Sequence, residues 1–113
     1  LTALAEEWLN KHGQRRWGEG KGDAITVPRE AFLSLPKALQ RQIFRQMVEA
    51  LVGSLNEVTF EHTEQALSLI AHHADQAMLH LPHRLVLWLE RGKVGLTRMP
   101  SDFFPSPSRK GAS

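Results

Sequence analysis

Apolar residues recur at helical spacing over three stretches of this chain and at strand spacing over a fourth, and this pattern divides the sequence before any chemistry is considered. Leu1, Leu4, Ala5, Trp8 and Leu9 share one helical face, with Thr2 placed to cap it, so a first helix is expected over about residues 3 to 12. Gly13 is suited to end it. Gly18, Gly20 and Gly22 then mark residues 13 to 23 as a flexible connector. Ile25-Thr26-Val27 reads as a short extended piece, and Pro28 suits the first turn of a short helix through Leu33. Pro36 repeats that device. Behind it Leu39, Ile43, Met47 and Leu51, broadened by Phe44 and Val48, form an apolar stripe that Gly53 terminates, which predicts a helix over about 36 to 52.

Thr59 stands as an N-cap before a further helix to about Ala71, whose apolar set is Phe60, Thr63, Ala66, Leu67 and Ile70. Glu61 falls in its first turn, where the helix dipole favours a carboxylate. From Ala77 the period becomes two, and Arg91-Gly92-Lys93 turns the chain so that Val94 to Thr97 returns as the second arm of a hairpin. Pro100, Pro105 and Pro107 forbid a central strand after Met99, which predicts a mobile tail. The fold class expected is α+β: a small helical portion with Leu39, Ile43, Met47, Leu67 and Ile70 in its core, packed on a C-terminal antiparallel β-hairpin or three-stranded sheet from residues 77 to 98. Trp8, Trp17 and Trp88 are assigned to the core by their size.

The chain has 113 residues, 42% of them hydrophobic, which suits one small domain with a modest core. It opens on Leu rather than Met and closes on Ser-Pro-Ser-Arg-Lys-Gly-Ala-Ser, and it reads as a fragment of a longer protein. With no cysteine it has neither a disulfide framework nor a thiolate site, and the cytoplasm is the expected compartment. Its longest apolar runs fall far short of the roughly 20 residues that cross a bilayer, so no membrane partner is expected.

The formal charge of +2 says less than its distribution. Lys37, Arg41 and Arg45 lie in a stretch without acids from residue 35 to 48, whereas residues 49 to 64 carry Glu49, Glu57, Glu61 and Glu64 and no Lys or Arg. At four-residue spacing the three cations lie about 6 Å apart along one helix face, a row able to follow a nucleic-acid backbone by charge alone. Arg84, Arg91, Lys93 and Arg98 supply a second cluster on the hairpin, opposed by Glu90. A pair of basic patches of this kind suits the phosphates and shape of an RNA stem. The competing reading of the row is a solvated helix face.

Other chemistry is not indicated. His72 and His73 point about 100° apart on a helix, and His80 with His83 makes only two ligands, so no metal site is expected. His62 is assigned to the capping region. Gly18-Glu-Gly20-Lys-Gly22 lacks the Ser or Thr of a phosphate loop and reads as a linker. Glu6 and Glu7 serve solubility, and no catalytic grouping is identifiable.

Leu35-Pro36-Lys-Ala-Leu-Gln-Arg41-Gln-Ile-Phe-Arg45 resembles the Leu-Pro-x-Ala-Leu-x-Arg helix that follows the nucleotide-binding domain in bacterial tRNA(Ile)-lysidine synthases. Val58-Thr-Phe-Glu-His62 through Leu67-x-Leu69-Ile70 is similar to the next helix of that family. Leu79-His-Leu81-Pro82 through Glu90-Arg91-Gly92-Lys93-Val94-Gly95-Leu96 is similar to its Leu-Pro hairpin, and Ala5-Glu-Glu-Trp8-Leu9 to the helix leaving its catalytic domain. Two details depart from the pattern: His83 replaces the glycine common after Leu-Pro, and Ala77-Met78 replaces a basic or glycine-containing turn.

The resemblance implies a division into residues 1–12, a helix leaving an absent catalytic domain; 13–24, a linker; 25–98, a substrate-binding-type domain; and 99–113, a flexible tail. The family attaches lysine to the wobble cytidine of an isoleucine tRNA after adenylating the base with ATP. Its Ser-Gly-Gly-x-Asp-Ser phosphate loop does not occur here, so ATP is implied for the parent enzyme, with no cofactor and no catalytic residue in this piece. The implied partners are tRNA, contacted through Lys37, Arg41, Arg45, Arg84, Arg91, Lys93 and Arg98, and the catalytic domain of the same enzyme, with homo-oligomerisation left open. A structural or protein-interaction module that binds no RNA is the main alternative. A helix-turn-helix DNA binder is weaker, because the 60–71 helix presents Glu61 and Glu64 and no cation to a groove.

Overall fold

The computed structural model describes residues 2–17, 23–53, 57–73 and 75–99. In chain order the elements are α1 (Thr2–His12), β1 (Gln14–Trp17), β2 (Asp23–Pro28), α2 (Arg29–Leu33), α3 (Lys37–Val52), α4 (Phe60–His72), β3 (Ala77–Leu81), β4 (Leu85–Glu90) and β5 (Lys93–Arg98). The strands form one antiparallel sheet in the order β1-β2-β5-β4-β3, so the fold is a small α+β domain with its helices against one face of a five-stranded sheet.

Register divides the sheet into two faces, because alternate side chains point to opposite sides. Ile25, Leu96, Leu87 and Leu79 fall in one cross-strand row, with Val27, Val94, Leu89 and Ala77 in the next, and all pack into the core shared with the helices. The helices contribute Ala5 and Leu9 from α1, Phe32 from α2, Ile43, Phe44, Met47, Val48 and Leu51 from α3, and Ala66, Leu67 and Ile70 from α4. Each Val, Leu, Ile, Phe or Met side chain among them, fully removed from water, contributes about 1.5–3 kcal/mol. Of the core expected from the pattern, Ile43, Met47, Leu67 and Ile70 are buried, and Leu39 is half-buried at its edge.

Helix ends follow local chemistry. Gly53 closes α3 in the left-handed conformation at φ 87°. Thr59 caps α4: its hydroxyl accepts from the His62 amide at 3.3 Å, and His62 Nδ1 accepts from the Thr59 amide at 3.0 Å, a reciprocal box with histidine in the usual glutamate's place. At the other end Arg29 donates to the carbonyls of Ile70 (2.9 Å) and Ala71 (3.3 Å), two of the acceptors a helix terminus leaves unmade. Buried Gln40 donates to Leu35 O at 2.9 Å and holds the α2–α3 corner.

Four expectations change. Gln14–Trp17 is not connector but the edge strand β1, paired with β2 from Gln14↔Thr26 to Trp17↔Asp23, so α1 and β1 belong to the same body as the rest. The sheet therefore has five strands rather than two or three. Phe60 stands in the apolar stripe of α4 but is 65% exposed, with the Arg41 guanidinium 5.7 Å from its ring centroid. Trp88 is half-buried on the sheet face away from the helices and outside the core cluster, whereas Trp8 does pack against that cluster. The side chain of Trp17, and the tail from residue 100, lie outside the described residues.

The two hairpin turns carry the strain. Arg91 and Gly92, with φ of 54° and 75°, form the two-residue link between Glu90 and its partner Lys93, a geometry whose twist matches the strands. Between β3 and β4, His83 and Arg84 also hold positive φ, 65° and 62°. Left-handed backbone costs a residue with a Cβ about 1–2 kcal/mol, which explains why glycine suits the position His83 occupies.

Candidate nucleic-acid interface

The seven cations expected to meet RNA fall into three places. Lys37, Arg41 and Arg45 do line up along α3, but the row is compensated. Arg41 donates from Nε to Glu64 of α4 at 2.7 Å and from Nη2 to the same carboxylate at 3.4 Å. The hydrogen bond from Arg41 holds the Glu64 carboxyl below the ordinary carboxylate range, helped by the charges of Arg41 and Lys37, and Arg41 is raised in turn. Arg45 lies in an open cleft of about 510 Å³ between α1, α3 and β1, where Glu6 and Glu49 face it and Arg15. Each member of the row thus has a carboxylate near it.

The hairpin cluster is two clusters. Arg84 and Arg98 meet at one end, where Leu85 pairs with Arg98, and both are tied to backbone. Arg84 Nε donates to Met99 O at 2.9 Å, while the Met99 amide returns a bond to Arg84 O at 2.9 Å. Arg98 Nη1 donates to Leu51 O at 3.2 Å near the end of α3, and its Nε is buried without a partner among the described residues. These two cations fasten β5 to its surroundings. Arg91 and Lys93 sit at the opposite end, five residues or about 17 Å along the strand, and both are exposed. Glu90 approaches Arg91 at 4.0 Å on a fully wet surface, a pairing of little energetic weight.

Sequence reasoning missed four residues. Arg15 and Arg16 on β1 are exposed, and Arg16 shares the outer sheet face with Trp88. The Trp88 indole covers Gly95 so closely that a Cβ there would overlap the ring, and its Nε1 donates to Thr97 Oγ1 at 2.8 Å. His12, tilted against Trp8 with ring centroids 4.7 Å apart, lines a cleft of about 190 Å³ with Arg91 and Lys93. The signal for the first two was present as Arg15-Arg16-Trp17, basic and aromatic residues beside a glycine run that drew the linker reading. Among the described residues no group of three or more His, Asp or Glu is arranged to hold a metal, and no helix is long and apolar enough to cross a membrane.

The fold is thus a small α+β body with exposed cations on the hairpin tip and the edge strand and with Arg41 of α3 paired to Glu64 of α4, the class of a small accessory domain. Residues 28–95 match the family model of the TilS substrate binding domain, and the chain belongs to that family, the substrate-binding region of tRNA(Ile)-lysidine synthase. The matched span runs from Pro28 at the head of α2 to Gly95 under Trp88. No curated protein sequence matches the chain.

Proposed function

We propose that this domain holds the body of an isoleucine tRNA so that its wobble cytidine reaches the catalytic domain of a tRNA(Ile)-lysidine synthase, where ATP activates the base and lysine is attached. The observation that carries this reading is the match of residues 28–95 to the substrate binding domain, a region whose substrate is tRNA. Its own part is electrostatic and positional. Arg91 and Lys93, exposed at the hairpin tip, meet phosphates, while Arg84 and Arg98 hold the strand that presents them. ATP is assigned to the catalytic domain, from which α1 leads, and none of the described residues is assigned chemistry.

Competition binding between unmodified isoleucine tRNA and an unrelated tRNA tests this proposal. A preference for the isoleucine species supports a role in substrate choice. Absence of binding to either at 50 mM salt selects the competing reading, a structural module that binds no RNA, which the internal Arg41–Glu64 pairing favours for the α3 side.

A further inference from the structure

The outer face of the sheet carries Arg16 and Lys93 with one carboxylate among its described strand residues, the exposed Glu90 across from Lys93, whereas Glu6, Glu49 and Glu64 stand beside the cations of the helix face. Two clefts lie along it and share Gln14 and Thr26. One, of about 190 Å³, is bordered by His12, Arg91 and Lys93. The other, of about 210 Å³, is bordered by Arg15, Arg16 and Trp88. Glu90 stands in the same row as Lys93 and also borders a third cleft with Trp88. By register the strip runs from the Pro28–Lys93 row, through Gln14–Thr26–Gly95–Trp88, to the Arg16–Ala24 row. Two such row steps along the strands and two strand spacings across them place Lys93 and Arg16 about 17 Å apart. Ala24, Thr97 and Val86 are buried, which confines the open part to this strip.

Resting on the tRNA-binding reading above, we propose that this strip is where the domain takes an unpaired segment of RNA, with a base stacked on the Trp88 indole and phosphates at Arg16 and Lys93. The chemistry favours a single strand over a stem. Stacking on an aromatic face needs a base free of its own stack, and a cationic groove beside an indole is the usual seat for one. The indole is held ready: Gly95 supports one face and Thr97 fixes its edge, so little side-chain freedom is lost on binding. In the α3 row, by contrast, Arg41 is paired with Glu64, and Arg45 shares its cleft with Glu6 and Glu49.

The test uses the 113-residue chain, with Arg16→Glu/Lys93→Glu against Lys37→Glu on the helix face. Affinity for isoleucine tRNA should fall at least tenfold in the double variant and the salt slope should flatten by about 1.4, two single-strand phosphate contacts, with Lys37→Glu close to the parent. If the double reversal unfolds the chain, Arg16→Gln/Lys93→Gln makes the same comparison. In a Trp8→Phe/Trp17→Phe background, a decameric oligouridylate should quench Trp88 emission, and its duplex with oligoadenylate should not. Loss of tRNA binding in Lys37→Glu equal to that in the double variant, or unchanged Trp88 emission at saturating oligouridylate, overturns the strip while leaving tRNA binding in place. Failure of the parent chain to bind any tRNA overturns both.

Discussion

Replacing Gly95 by alanine sets a methyl group against the Trp88 indole on β5, the central strand of the sheet. The strand is paired on both sides, to β2 and to β4, so its backbone has little room to retreat and the ring must move instead. Moving it gives up the Trp88–Thr97 hydrogen bond, about 1 kcal/mol net, and the contact with β5; forcing volume into a packed site costs about 1–3 kcal/mol. Against this, alanine restricts the unfolded chain and returns about 0.4–1 kcal/mol. The expected net loss is about 2 kcal/mol, read as a lower urea midpoint with an unchanged slope. The same substitution made on a Trp88→Leu background should cost far less, because the clash is gone. A loss below about 0.5 kcal/mol in the parent, or an equal loss in both backgrounds, refutes the stacked geometry on which the Trp88 argument depends.

Other outcomes follow from individual contacts. Glu64 has its folded value below the unfolded one, so the unfolded state takes up the proton first; the Arg41–Glu64 contribution is complete above the unfolded carboxyl value and is lost as pH falls through the folded one. Thermal midpoints between pH 7 and pH 3 should therefore drop less steeply in Glu64→Gln than in the parent, and parallel curves would contradict the pairing. Thr59→Ala should cost about 1 kcal/mol in urea unfolding by removing the α4 cap, with His62→Ala also destabilising because it takes the other half of the box. His83→Gly relieves a left-handed residue and should stabilise by about 0.5 kcal/mol or more; a destabilised variant would mean that the His83 side chain outweighs the backbone term.

What could be read from the chain was what local chemistry decides. Helices α3 and α4 follow from unbroken apolar periodicity with Pro36, Gly53 and Thr59 at their ends, and the β4–β5 turn follows from Arg91-Gly92. What local chemistry does not decide was missed. Strand β1 is four residues long beside a glycine run, and its evidence is the partner it pairs with, β2. Arg41 looks like a free cation in sequence because Glu64 stands 23 positions away. Trp88 looks like core because alternation along β4 leaves open which face meets the helices until the sheet is assembled, and Phe60 stands at the first position of α4, short of the core that Ala66, Leu67 and Ile70 of the same stripe reach. The cations named for RNA are thus divided by the fold into three places, with Arg15 and Arg16 of β1 beside them.

The most direct test of the account is the affinity of this chain for unmodified isoleucine tRNA measured from 50 to 300 mM salt. Contacts through Arg16, Arg91 and Lys93, with neighbouring cations adding one or two more, predict a logarithmic slope of about −2 to −4 and measurable binding at the low end. A slope near zero, or no binding at 50 mM salt, would contradict the claim that this domain holds its substrate through exposed cations.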